Sequence, residues 1–216
     1  MTKAFPLSKK QLQYEIANSL SHGAGLLFGL ISIPILIATA IYHSTPAKIT
    51  GAIAFGISFM MVYTFSTLYH SFHSPILKKL LQKLDHISIY YLIAGSYTPF
   101  ILAYVQNYRG FIILAVLWFL AFAGTVFKIF FTGKFDLIST LIYLAMGWIF
   151  ITVVDSFFIK FPMDCLWMVM IGGISYTIGV IFYRWEKLPY HHAIWHVFVL
   201  GGSICHYFAV YITVSS

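Results

Sequence analysis

HHAIWHVFVLGGSICHYFAVYITV, residues 191–214, decides how the chain is read. From Ala193 to Val214 the run is almost wholly apolar. At about 1.5 Å per residue it is long enough to cross the roughly 30 Å hydrocarbon layer of a bilayer as a helix. It opens on His192-Ala193-Ile194-Trp195-His196, two imidazoles four residues apart. On a helix that spacing stacks both side chains on one face, where they can reach a single metal ion. Ionisable groups inside membrane helices are costly and generally serve function.

The rest of the composition agrees with a membrane solvent. Charged residues make up 9% of the 216 and apolar types 60%, with a mean hydropathy of +0.87. Soluble proteins carry roughly 25% charge. The expected class is therefore an all-α, polytopic membrane protein, with room for seven spans and no separate soluble domain, so residues 1–216 form one transmembrane domain. Cys165 and Cys205 lie in different segments and are expected to be free thiols. The N-terminal apolar run lacks a clear cleavage site and is expected to be a retained span rather than a signal peptide.

In chain order, residues 1–18 are expected to form an amphipathic segment on the membrane surface, with Leu12, Tyr14 and Ile16 toward lipid. Within it Glu15, Asn18 and His22 share one helical face. The spans follow at about 19–42, 49–71, 86–106, 110–131, 135–158, 163–185 and 191–214. Gly25 and Gly29 in the first span form a GxxxG pattern that permits close helix contact. Between spans two and three, PILKKLLQKLD (75–85) is expected to be a separate interfacial helix, with its lysines toward headgroups.

Counting Lys and Arg by side sets the orientation. Lys3, Lys9, Lys10, Lys78, Lys79, Lys83, Lys128, Lys134, Arg184 and Lys187 fall on one side, against Lys48, Arg109 and Lys160 on the other. The N-terminus is expected in the cytoplasm and the C-terminus outside. The same distribution accounts for the net charge of +7 without nucleic acid as a partner.

This topology brings distant segments to the cytoplasmic side. Ser66 and His70 end span two, Asp85 begins span three, and His192 and His196 begin span seven. Three imidazoles with one open position is the arrangement of a catalytic zinc rather than a closed structural one. His70, His192 and His196 are the expected ligands of Zn²⁺. Asp85 is expected to act on the metal's water as general base or orienting group, and Ser66 to donate to a developing oxyanion. His43, His73 and His191 are expected at helix ends without a role. His22 and His206 lie on polar faces with no fixed assignment; His206 sits about 15 Å deeper than His196, too far to share its ion.

At these residues the chain resembles the hemolysin III family, the bacterial branch of the progestin and adipoQ receptor (PAQR) families. Glu15-x-x-Asn18-x-x-Ser21-His22 is similar to the family's opening motif. Ser66-x-x-x-His70, Asp85 and Gly95-Ser96-Tyr97-Thr98-Pro99-Phe100 match its middle motif, and His192-x-x-x-His196 with His206 its closing one. The resemblance implies seven helices with a cytoplasmic N-terminus. It also implies zinc on the three matching histidines, with the matching aspartate against the zinc-bound water. Ceramidase-like relatives hydrolyse lipid amides with similar residues, whereas the family's name implies lysis by pore formation. The long extramembrane N-terminal region of the receptors has no counterpart here, so no hormone-binding role is expected.

Three function classes follow. The first is a zinc-dependent hydrolase of a lipid amide or ester in the plasma membrane, with membrane lipid as partner and substrate. The second is a pore-forming cytolysin. The third is a receptor, transporter or membrane-homeostasis protein with a structural zinc site.

Overall fold

A computed structural model describes residues 7–153 and 161–216, and every regular element among them is helical. Helix α1 (Lys9–His43) starts at Ser8, whose hydroxyl accepts from Gln11 N (3.2 Å) while Gln11 Oε1 accepts from Ser8 N (2.9 Å). This reciprocal capping box satisfies two donors the first turn would leave unpaired. The expected break between a surface segment ending near residue 18 and a first span is absent. No glycine or proline interrupts residues 9–22, and α1 continues for 35 residues, about 52 Å.

The buried stripe of α1, including Asn18, His22, Gly25, Gly29, Leu36 and Ala40, faces α2 (Pro46–Ser71) and the last helix. Gly25 lies flat against the Tyr63 ring, and a Cβ on Gly29 would stand 2.8 Å from Phe59 Cε1. Only hydrogen at these two positions lets α1 approach α2 so closely.

Helix α3 (Pro75–Tyr104) corrects a second expectation. The separate interfacial helix over 75–85 does not exist, because Leu84-Asp85-His86-Ile87 contains nothing that breaks a helix. Leu81, Asp85, Ser88 and Leu92 form one inward stripe across the supposed boundary. Two of its lysines bind protein: Lys83 Nζ donates to Ile129 O (2.9 Å), and Lys78 Nζ reaches Glu15 on α1.

Then follow α4 (Tyr108–Phe131), α5 (Asp136–Gly147), a 3₁₀ turn (Ile149–Val153), α6 (Met163–Arg184) and α7 (His191–Ser215). Six of the seven described α-helices are long and apolar enough to cross a membrane. The exception is α5, whose 12 residues span about 18 Å. The remainder of the expected fifth span, 154–160, lies outside the described residues. Large apolar side chains stand outward, such as Leu20, Ile31 and Phe130 at 69, 69 and 72% exposure, as a lipid-facing surface requires. Cys165 and Cys205 are free, as expected, Cys165 fully buried and Cys205 partly so.

The helices form a ring in which α1 lies between α2 and α7, α3 follows α2, and α6 packs on α7. Helix α5 closes the ring between α3 and α6. Its end is set by Tyr97 of α3: Tyr97 Oη donates to Gly147 O (2.6 Å) and accepts from Phe150 N (3.3 Å). The hydroxyl takes backbone groups that a continuing α-helix would pair internally, and Ile151 N turns to Trp148 O in 3₁₀ fashion. Tyr97→Phe removes the hydroxyl's buried hydrogen bond to the Gly147 carbonyl, a loss of about 1–3 kcal/mol. It is expected to lower the melting temperature in detergent and speed proteolysis near 147–153; an unchanged melt would contradict this account of where α5 ends.

Candidate metal centre

The site forms where four helices meet at one end of the ring. Helix α7 contributes His192 and His196 from its first two turns, with ring centroids 4.6 Å apart. Helix α2 contributes His70 from its last turn, 5.2 Å from the His192 ring and 5.3 Å from the His196 ring. One ring nitrogen from each of the three lies within 4.8 Å of the others, so the group could hold a metal ion. His70 and His196 are buried and His192 partly so.

Hydrogen-bond chemistry fixes which nitrogen of His70 and of His196 is available. His70 Nδ1 lies 2.6 Å from Glu15 Oε2, and a carboxylate oxygen only accepts, so Nδ1 carries the proton. Asn18 Nδ2, itself a donor, stands further off at 3.4 Å. His196 Nδ1 faces the Asn18 carbonyl (3.3 Å) and Ser21 Oγ (3.0 Å). Ser21 Oγ gives its own proton to Asn18 O (2.8 Å), so Nδ1 is again the donor. Both rings therefore present an Nε2 lone pair. Nε2 of His70, His192 and His196 are all buried with no protein partner. Three such imidazole nitrogens without hydrogen-bond partners, two of them shown unprotonated by their Nδ1 contacts, fit a metal of the zinc type, and no side chain among the described residues satisfies them.

Asp85 of α3 is buried beside this group, in electrostatic reach of His70 and Ser66. Its carboxylate is not among the ligand atoms gathered within 4.8 Å, which suits a group acting through a water rather than as a ligand. Ser66, one turn deeper than His70, is fully buried, with its hydroxyl beside the Asp85 carboxylate.

Asp85 and His192 also line a cavity of about 160 Å³ that runs between α3, α5, α6 and α7. Away from the histidines its wall is largely apolar, with Ile93, Phe100, Phe150 and Val169. His22 stacks on His196 (3.5 Å between centroids, 23°) and lines this cavity, as does His206. His206 fits its place because Gly172 leaves room for the ring, which meets Tyr176 edge-on at 5.4 Å. His43 and His73 are exposed near helix ends, and His191 Nδ1 donates to Tyr183 O (3.2 Å).

Sequence reasoning alone missed the bracing of His70 and His196 by α1. The shared face of Glu15 and Asn18 was a signal of it, but their partners lie 52 to 178 positions away.

Comparison with known proteins bears on this arrangement. The family described as Haemolysin-III related matches residues 10–207. Hemolysin-3 of Bacillus cereus is 42% identical over 97% of this chain and 96% of its own length. The Hemolysin-3 homolog of Bacillus subtilis (strain 168) is 43% identical over 92% and 93%. The human monocyte to macrophage differentiation factor is 28% identical over 83% and 78%. With its apolar helices and these relatives, the chain belongs to the haemolysin III family of multi-pass membrane proteins.

Proposed function

We propose that this protein is a zinc-dependent hydrolase of a membrane-lipid amide or ester, with the acyl chain of the substrate in the cavity beside the histidines. One observation carries the proposal: three histidines that could hold a metal each have a buried Nε2 without a protein partner, and one of them, His192, lines a largely apolar cavity together with the buried carboxylate of Asp85. His70, His192 and His196 would hold the ion. Zinc bound there would supply Lewis acidity and bring the pKa of a water to about 7.

The chain's own residues divide the remaining work. Asp85 accepts the proton of the attacking water on a carboxylate oxygen and returns it to the leaving nitrogen or oxygen as the carbonyl–heteroatom bond breaks. Ser66 Oγ, fully buried beside Asp85, donates to the carbonyl oxygen as negative charge develops on it. Ile93, Phe100 and Phe150 exclude water and hold the acyl chain by burying it. The Lys and Arg distribution supports placing this end of the ring at the cytoplasmic leaflet, with the N-terminus inside and the C-terminus outside. The sequence supports a seventh span over about 135–158, of which α5 is the described α-helical part.

Chelator-free purification followed by elemental analysis is expected to give one zinc per chain, and His192→Ala to leave little of it. No zinc in the unaltered protein, or full zinc in His192→Ala, would end the metal reading. Asp85→Asn is expected to keep zinc while lowering release of fatty acid from vesicles of ceramide and phospholipid by roughly 10²- to 10⁴-fold. Equal release by both proteins would remove Asp85 from the chemistry.

Gly173 lines the cavity, and a Cβ there meets nothing within 4 Å. Gly173→Phe is therefore expected to fill space an acyl chain needs, cutting turnover of long-chain lipid with zinc content unchanged. Undiminished turnover would place the chain elsewhere.

A further inference from the structure

Glu15 lies near the start of α1, outside the group that could hold a metal, yet it makes two close charge-assisted contacts with two other helices. Its Oε2 accepts from His70 Nδ1 at 2.6 Å, and its Oε1 accepts from Lys78 Nζ at 2.5 Å, from the first turn of α3. Lys78 is itself held: Nζ donates to Tyr69 O (3.3 Å) and lies 4.7 Å over the Tyr69 ring. The Glu15 and His70 side chains are 19 and 5% exposed, so the contact is shielded from solvent competition.

A helix-to-helix tie needs no histidine as its middle member. Here the middle member is an imidazole whose opposite nitrogen points, unpartnered, at His192 and His196. A neutral imidazole can ligate through Nε2 only if the proton sits on Nδ1, and a carboxylate at Nδ1 selects that tautomer. The carboxylate also fixes the ring's rotation and makes Nε2 a stronger donor. Helix α1 treats His196 in the same way, but with neutral groups, Asn18 O and Ser21 Oγ. It thus sets the tautomers of two of the three imidazoles while supplying none of them, and gives the ionised brace to one only.

We propose that Glu15 is a positioning residue for the metal centre. It holds His70 with its proton on Nδ1 and its Nε2 lone pair toward the ion, and Lys78 keeps the carboxylate in place. This inference rests on the metal reading above. One consequence is that metal affinity depends on the seating of the first turns of α1 against the α2–α3 junction.

The test compares the full-length protein in detergent with Glu15→Ala, Glu15→Gln and Lys78→Met. Zinc affinity is measured by competition with a chromophoric chelator, and the visible spectrum is recorded after loading with Co²⁺. Glu15→Ala is expected to weaken zinc binding about 10- to 100-fold and to alter the cobalt bands. Glu15→Gln keeps an acceptor for Nδ1–H and is expected to recover most of that loss. Lys78→Met, which keeps the acceptor and its charge, is expected to weaken binding less than Glu15→Ala. Zinc affinity in Glu15→Ala within about twofold of the unaltered protein, with the same cobalt bands, would overturn the inference and leave the metal reading standing. Equal losses in Glu15→Ala, Glu15→Gln and Lys78→Met would also overturn it, because a purely structural tie behaves that way. No zinc in the unaltered protein would remove both. Should Glu15→Ala not fold, Glu15→Gln and Lys78→Met decide alone: positioning predicts near-normal affinity in the first, a structural tie a matched loss in both.

Discussion

Three imidazole nitrogens turned toward one another, with no hydrogen-bond partner inside a membrane bundle, are the constraint on which the rest of this structure depends. Each buried polar atom left unpaired costs about 1–3 kcal/mol, and here three of them converge within 4.8 Å. A metal ion removes that cost for all three at once. The packing around them is consistent with such a demand. Gly25 and Gly29 bring α1 against α2, which places Glu15 and Asn18 on the far side of His70 and His196. The uninterrupted α3 carries Asp85 to the same level, and α5 stops at the Tyr97 hydroxyl, where it flanks the cavity instead of filling it.

The cavity combines a few ionisable groups with a largely apolar wall. Asp85, His192, His22 and His206 line it together with aromatic and aliphatic side chains such as Phe100, Phe150 and Ile93, and Lys128 and Asp136 also reach it. The outward faces of α1 and α4 expose mainly large apolar side chains, as lipid contact requires, while the ionisable groups of the cavity are turned inward.

Much of this is legible from local pattern. The four-residue spacing of His192 and His196 needs only a helix to put both on one face, and apolar run length reveals a span without knowledge of its neighbours. The count of Lys and Arg by side is enough to bring His70 and Asp85 to the same end. What escapes local pattern depends on partners remote in sequence. Continuity through residues 75–85 is hidden because amphipathic spacing looks the same on a surface helix and on the end of a long buried one; Lys78 and Lys83 find partners on α1 and α4, 63 and 46 positions away. The end of α5 is imposed by Tyr97, 50 positions earlier, and nothing at Gly147 itself announces it. The bracing of His70 by Glu15 is another contact of this kind, across 55 positions.

Zinc K-edge X-ray absorption on the purified full-length protein addresses the central claim most directly. The expected result is a four-coordinate shell of nitrogen and oxygen at about 2.0–2.1 Å, with the multiple-scattering pattern of three imidazoles and one further light atom. A shell containing sulfur, fewer than three imidazoles, or no zinc edge would contradict it.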